Sequence, residues 1–207
     1  MLGMSVRHLY LARHAEPGDD GRLTDQGVQQ AMLLGRRLSK VPFASAHHGP
    51  QPRATETAQL VAKQLGSQVP VAKLDAAGDY IPHLPSPKEV DQEHRAGVLA
   101  FLADVSEKEA AQGAELAAEA IRLLTGPGRG KDDSHHLVVT HAFTVGWLVR
   151  HAYSAPAWRW LGIDNGHAAL TVIRYSTDRP PTVLVFNDMS HLPEDLRWTG
   201  FPAHMRL

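Results

Sequence analysis

The sequence predicts an α/β protein, a three-layer αβα sandwich around a mostly parallel central sheet. Two observations carry this. Short apolar runs that read as strands alternate with longer segments of helical spacing along the chain. With 43% hydrophobic residues, the 207-residue chain can also bury a substantial core.

The elements follow in order. Residues 6–12 read as a first strand, built on Val6, Leu9, Tyr10 and Leu11. It stops at Arg13-His14, and Glu16, Pro17 and Gly18 turn the chain into a loop. Thr24 is an N-cap for a first helix, with Asp25 and Gln26 suited to its first turn. Val28, Ala31, Met32, Leu34, Gly35 and Leu38 continue it at helical spacing to about Lys40, and Pro42 ends it. Residues 43–46 form a short buried strand, and His47-His48-Gly49-Pro50 is read as a loop. A second helix starts near Gln51 or Pro52, carries Ala54, Thr57, Ala58, Leu60, Val61 and Leu65, and closes at Gly66. Residues 70–74 can add a strand.

Residues 75–89 hold Pro82, Pro85 and Pro87 and read as an irregular segment, long for a compact domain and therefore a functional candidate. Helices follow at about 88–104 and 106–125, the second closed by Gly126-Pro127-Gly128. Lys131 to His135 is a polar turn. His136 to Thr140 is a short strand running straight into His141, and a helix covers 143–151. Strands at 168–175 and 182–186, joined by Asp178-Arg179-Pro180-Pro181, complete the chain. There is no internal repeat or low-complexity linker. The expected organisation is one domain over 1–207 with an acid-bearing loop insertion at about 75–105.

Composition narrows the function. Lys plus Arg number 21 and Asp plus Glu 22, a net charge of −1, so no global field attracts nucleic acid or an anionic membrane. The absence of cysteine excludes disulfides, thiolate metal sites and a cysteine nucleophile. Met1 to Ser5 is not a basic segment followed by a long apolar run, as a signal peptide would be. No window approaches the roughly 20 apolar residues of a membrane span. A cytoplasmic location is expected.

An arginine and an imidazole at the tip of a buried strand sit where open α/β sheets place their ligands. Thr140-His141 repeats the arrangement at a second tip, and Arg53 lies early in the second helix. A cation there opposes the helix dipole, a hint that it serves something else. Two arginines, two imidazoles and a helix N-terminus make a site for a tetrahedral anion.

The ordered set Arg13-His14-Ala15-Glu16, Leu23-Thr24-Asp25-Gln26-Gly27 with Gln30-Ala31, Pro50 with Arg53-Ala54 and Thr57-Ala58, then Val139-Thr140-His141 resembles the histidine phosphatase superfamily, whose fold is phosphoglycerate mutase-like. The resemblance covers nearly the whole chain. It implies that His14 is the nucleophile, forming a phosphohistidine, and that Arg13, Arg53, His141 and Ala142 bind the phosphoryl oxygens. It also implies a proton donor in the segment after the second arginine. Asp79 is the choice, with Asp75 and Glu89 as the other acids. A buried setting beside phosphate charge would keep such an acid protonated. No metal and no cofactor are expected, the arginines supplying the positive charge.

The departures are informative. Ala15 and Ala142 stand where the family carries glycine, and His48-Gly49-Pro50 replaces the common Ser-Ser-Pro. The mutases' Trp-Glu-Gly element is replaced by Asp79-Tyr80-Ile81-Pro82-His83, which argues for a phosphatase over a phosphoglycerate mutase-type phosphotransferase. His48 and His83 are the substrate-rim candidates. Most of the thirteen histidines, including His47, His135, His136 and His151, read as loop or helix-end residues. Trp147, Trp158, Trp160 and Trp198 read as core or interface. The expected substrate is a small phosphorylated metabolite or a phosphoprotein, phosphohistidine proteins included, and a homodimer is compatible with the chain.

Overall fold

The computed structural model describes residues 5–66, 69–128, 130 and 132–207. The leading Met1–Met4 and Lys131 of the expected polar turn lie outside the described residues. The elements run β1 (Arg7–Arg13), α1 (Asp25–Leu38), β2 (Phe43–His48), α2 (Pro52–Ala62), β3 (Val71–Lys73), α3 (Gln92–Phe101), α4 (Glu107–Leu124), β4 (Ser134–Thr140), α5 (Ala142–Ala152), β5 (Leu170–Tyr175) and β6 (Thr182–Asp188). The six strands form one sheet in the order β3-β2-β4-β1-β5-β6. The pairings β3·β2, β2·β4 and β4·β1 are parallel, and β5 runs antiparallel to both β1 and β6.

Alternation along the strands builds the layers. Ala12, Leu137, Val139, Leu170 and Val172 share one face, covered by Ala31, Leu34 and Leu38 of α1 and by Ala54, Ala58 and Val61 of α2. Leu9, Leu11, Val138, Ile173 and Tyr175 point the other way, under Ala120 and Leu124 of α4 and Val145, Leu148 and Val149 of α5. The α1 cap forms as read, Thr24 Oγ1 accepting from the Gly27 backbone 3.0 Å away. Gly27 itself is dictated by contact, since a Cβ there would collide with the Glu16 carbonyl. Ser106 and Glu109 add a capping box to α4.

Several boundaries differ from the expectation. His47 and His48 belong to β2 rather than a loop, because they pair with Val138 and Val139 of β4. His135 lies in β4, opposite His8 of β1. The helix expected at 88–104 is shorter, from Gln92 to Phe101. The segment around Asp79 is firmly held. Ala76 and Ala77 are buried, Thr140 Oγ1 donates to Ala77 O at 2.7 Å, and Thr144 Oγ1 donates to Gly78 O at 2.6 Å. Beyond it, Trp160 Nε1 donates to His83 O at 3.0 Å. Trp147, Trp158 and Trp160 are core residues. No helix among the described residues is long and apolar enough to cross a membrane.

Candidate active site

The parallel register of β1 and β4 creates the site. Arg13 lies opposite Thr140, so both strands end at one edge of the sheet. The His14 backbone N–H donates to Thr140 O at 2.8 Å, which seats His14 beside His141 with ring centres 4.9 Å apart. Arg53, in the first turn of α2, reaches both. Its Nε donates to His14 Nε2 at 3.1 Å, and its Nη2 lies 3.4 Å from His141 Nδ1 and 2.8 Å from Asp79 Oδ2. Thr57 anchors this corner: its hydroxyl donates to Arg53 O at 2.7 Å and accepts from Ala15 N at 3.0 Å. Arg13 turns its Nη1 onto Asn165 O at 2.6 Å and packs on Gly200, where φ is +87°. A side chain at 200 would therefore be strained and would meet the guanidinium.

The hydrogen bonds set the imidazole tautomers. His14 Nδ1 lies 2.8 Å from the carbonyl of Ala15, which can only accept, so Nδ1 carries the hydrogen and Nε2 keeps a lone pair. His141 is the reverse. Arginine can only donate, and its 3.4 Å approach, closer than the 3.6 Å of Asp79 Oδ2, favours an accepting His141 Nδ1 with the hydrogen on Nε2. That buried Nε2 has no hydrogen-bond partner among the described residues, and neither does the buried Arg13 Nε. Both are donors suited to anion oxygens.

Both rings are buried, and both are held neutral. Burial first, then His141, Arg13 and Arg53, push the pKa of His14 down to about 2, against a smaller upward pull from the Ala15 carbonyl. Burial, Arg53 and Arg13 take His141 down to about 3. These shifts have a consequence for stability. Between about pH 3 and pH 6.5 the unfolded chain protonates these imidazoles and the folded chain does not, so stability falls as pH drops. Each such histidine contributes up to about 1.4 kcal/mol per pH unit in that window. The urea midpoint is expected to be markedly lower at pH 5 than at pH 7. An equal midpoint at both would show that the rings titrate normally.

The structure thus brings Arg13, His14, Arg53, Asp79 and His141 together, with Ala142 opening α5 directly after His141. It separates the other candidates from them. Asp75 pairs with Lys73 at 3.0 Å, and Glu89 is occupied by Ser86 and His83. His83 thereby points to Glu89. His48 is buried, not at a rim, with Nδ1 2.7 Å from Gly49 O and 3.2 Å from Thr55 Oγ1. Asp79 also departs from the expected setting. Its side chain is 39% exposed and ion-paired to Arg53, because the loop that carries it runs along the outer lip of the site. No group of three or more His, Asp or Glu side chains among the described residues is arranged to hold a metal ion.

Sequence reasoning missed His167. It is buried, with its ring centre 5.3 Å from that of His14. No motif marks it. The one available signal was the Asn165-Gly166 turn just ahead of an expected strand. Gln30 and Asn165 were likewise unremarked as structural partners of the site.

The family model described as "Histidine phosphatase superfamily (branch 1)" matches residues 9–189. A relative named serine/threonine-protein phosphatase Pgam5, mitochondrial, of Caenorhabditis briggsae is 26% identical over 93% of this chain and 67% of its own length. The chain spans about two thirds of the length of the curated relatives it matches. Among solved structures, a putative alpha-ribazole-5'-P phosphatase from Escherichia coli is similar with a TM-score of 0.65 at 20% identity, covering 88% of this chain and 96% of that one. Phosphoglycerate mutase from Bacillus anthracis is similar with a TM-score of 0.60 at 22% identity, covering 92% and 96%.

Proposed function

The chain belongs to the histidine phosphatase superfamily, and on that footing we propose that it is a metal-independent phosphoric monoester hydrolase that works through a phosphohistidine on His14. The observation that carries the reading is the tautomer pattern. Of the two motif imidazoles only His14 is assigned its lone pair on Nε2, and that nitrogen accepts from Arg53 Nε at 3.1 Å.

The reaction follows from that arrangement. Nε2 attacks phosphorus as the bond to the leaving oxygen breaks. The Ala15 carbonyl, already on Nδ1–H, stabilises the positive charge that the ring acquires. Arg53 exchanges Nε2 and Asp79 for phosphoryl oxygens, joined by Arg13 and by the Nε2–H of His141. Asp79, released from the guanidinium and reachable by solvent, carries a proton to the leaving oxygen. Water then attacks the phosphohistidine and gives its proton to Asp79. The phosphorus–nitrogen bond breaks, and inorganic phosphate leaves.

The cleft beside Asp79 supports a hydrolase over a mutase. It is a cavity of 440 Å³ lined by Tyr80, Ile81, Leu116 and Phe143, with Glu109 and Gln112 as its other large side chains. Among the described residues no lysine or arginine lines it, so none of them neutralises the carboxylate of a phosphorylated sugar acid there. The cleft suits an uncharged, partly apolar leaving group. A phosphoprotein substrate is the second reading, favoured by the Pgam5 relatives.

Hydrolysis of p-nitrophenyl phosphate in excess EDTA, with acid-labile phosphoenzyme trapped on His14, tests the proposal. No turnover and no phosphoenzyme would end it. Asp79→Asn separates the proton donor from the rest. Hydrolysis of an alkyl phosphate, whose leaving oxygen needs a proton, is expected to drop by about 10²- to 10⁴-fold. Hydrolysis of p-nitrophenyl phosphate, with its good leaving group, should drop far less. Equal losses on both substrates would remove Asp79 from the role.

A further inference from the structure

We propose that His167 is a further phosphoryl-oxygen donor of this site, its Nε2–H turned to the anion by a hydrogen-bond relay that runs from Glu16 through Gln30 and Thr199. The inference rests on the reading of His14 as the phosphorylated centre, and no motif assigns His167 a role.

The relay begins at an unambiguous donor. The Glu16 backbone N–H donates to Gln30 Oε1 at 2.9 Å, which fixes the orientation of that amide. Gln30 is fully buried, and its Nε2 must then donate, to Leu196 O at 2.9 Å and to Thr199 Oγ1 at 2.8 Å. Thr199 Oγ1 accepts from Gln30 and keeps its own hydroxyl hydrogen, which it can donate to His167 Nδ1, 3.2 Å away. With that donation His167 Nδ1 accepts, and the proposal places the single hydrogen of the neutral ring on Nε2. Burial, with Arg13, His14 and Arg53 in turn, pushes the pKa of His167 down to about 2 and keeps the ring neutral.

The ring is placed as well as protonated for this role. His167 N–H donates to Thr199 O at 3.0 Å, so Thr199 holds both backbone and side chain. The next residue, Ala168, donates to Arg13 O and His14 O at 3.1 and 3.2 Å, which locks the loop to the tip of β1. The His14 and His167 rings lie 5.3 Å apart at 39°. His141 lies 4.9 Å from His14 and has the same tautomer. His14 thus has one imidazole 4.9 Å away and another 5.3 Å away, and of the three rings it is the one whose lone pair is on Nε2 in this assignment.

The test uses the intact chain. His167→Ala is expected to lower kcat/KM for p-nitrophenyl phosphate about 10- to 100-fold and to weaken inhibition by orthovanadate about tenfold, the scale of one lost oxyanion donor. His167→Gln, whose amide N–H can reach the same oxygen, should recover most of both. Nitrogen-15 spectra of the imidazoles are expected to show His167 unprotonated at Nδ1, its Nε2–H signal moving when inorganic phosphate is added. In Thr199→Val the two tautomers should mix. Alanine-variant kinetics and vanadate inhibition within twofold of wild type, or a hydrogen on Nδ1, would overturn the inference. If His167→Ala fails to fold, the glutamine variant and the phosphate titration decide. A wild-type chain that makes phosphoenzyme while the His167 variants are unaffected sinks only this inference. A wild-type chain that neither makes phosphoenzyme nor binds vanadate sinks the reading beneath it.

Discussion

Replacing His14 with alanine is expected to abolish phosphoenzyme formation and to cut turnover of p-nitrophenyl phosphate by about 10⁴-fold or more, because covalent catalysis loses its only nucleophile. The residual rate would come from the anion site alone, since Arg13, Arg53 and His141 keep their own anchors. Arg13 is held by Asn165 and packed on Gly200, and Arg53 by Asp79. The variant should therefore still bind orthovanadate or phosphate. Binding retained with turnover lost identifies a nucleophile, whereas loss of both together would make His14 only another binding group. Wild-type turnover in the variant would refute the mechanism outright.

Arg53→Ala carries the second large effect. The guanidinium touches His14 Nε2, lies near His141 Nδ1 and pairs with Asp79, so its loss removes an anion donor and unpairs the acid at once. Arginines that stabilise a transferring phosphoryl group contribute about 10³- to 10⁵-fold, and a fall in kcat/KM of about 10³-fold is expected. Arg53→Lys should recover little of it. A single ammonium cannot repeat the separate Nε and Nη2 contacts, and lysine lacks the planar fork that matches two phosphoryl oxygens. Near-complete rescue by lysine would mean that only the charge matters.

Much of this site was legible because hydrophobic periodicity marks where strands stop. Leu9 to Ala12 and Leu137 to Thr140 are apolar runs that end in Arg13-His14 and His141, and parallel neighbours place such ends together. Arg53 was legible as a cation where the helix dipole disfavours one. The error at His47-His48 has the same root. Polar side chains suggested a loop, but backbone pairing with Val138 and Val139 continues the strand beneath them. Asp79 was chosen because the family resemblance implies an acid after Arg53, yet its exposure and its ion pair with Arg53 depend on the loop path set by Thr140 and Thr144, which composition does not encode.

His167 marks the boundary between the two kinds of information. The sequence by itself determined the α/β layering, the family and the arginines and imidazoles that form the candidate site, because periodicity and short motifs are local. Only the tertiary structure decided the direction of β5. Since β5 runs against β1, its starting end, not its finishing end, lies at the edge where the parallel strands stop, and that brings the loop carrying His167 against His14. The tertiary structure likewise supplies the partners that select each imidazole's tautomer. A tautomer is set by partners distant in the chain, Thr199 for His167 and Arg53 for His141, and no local pattern records them.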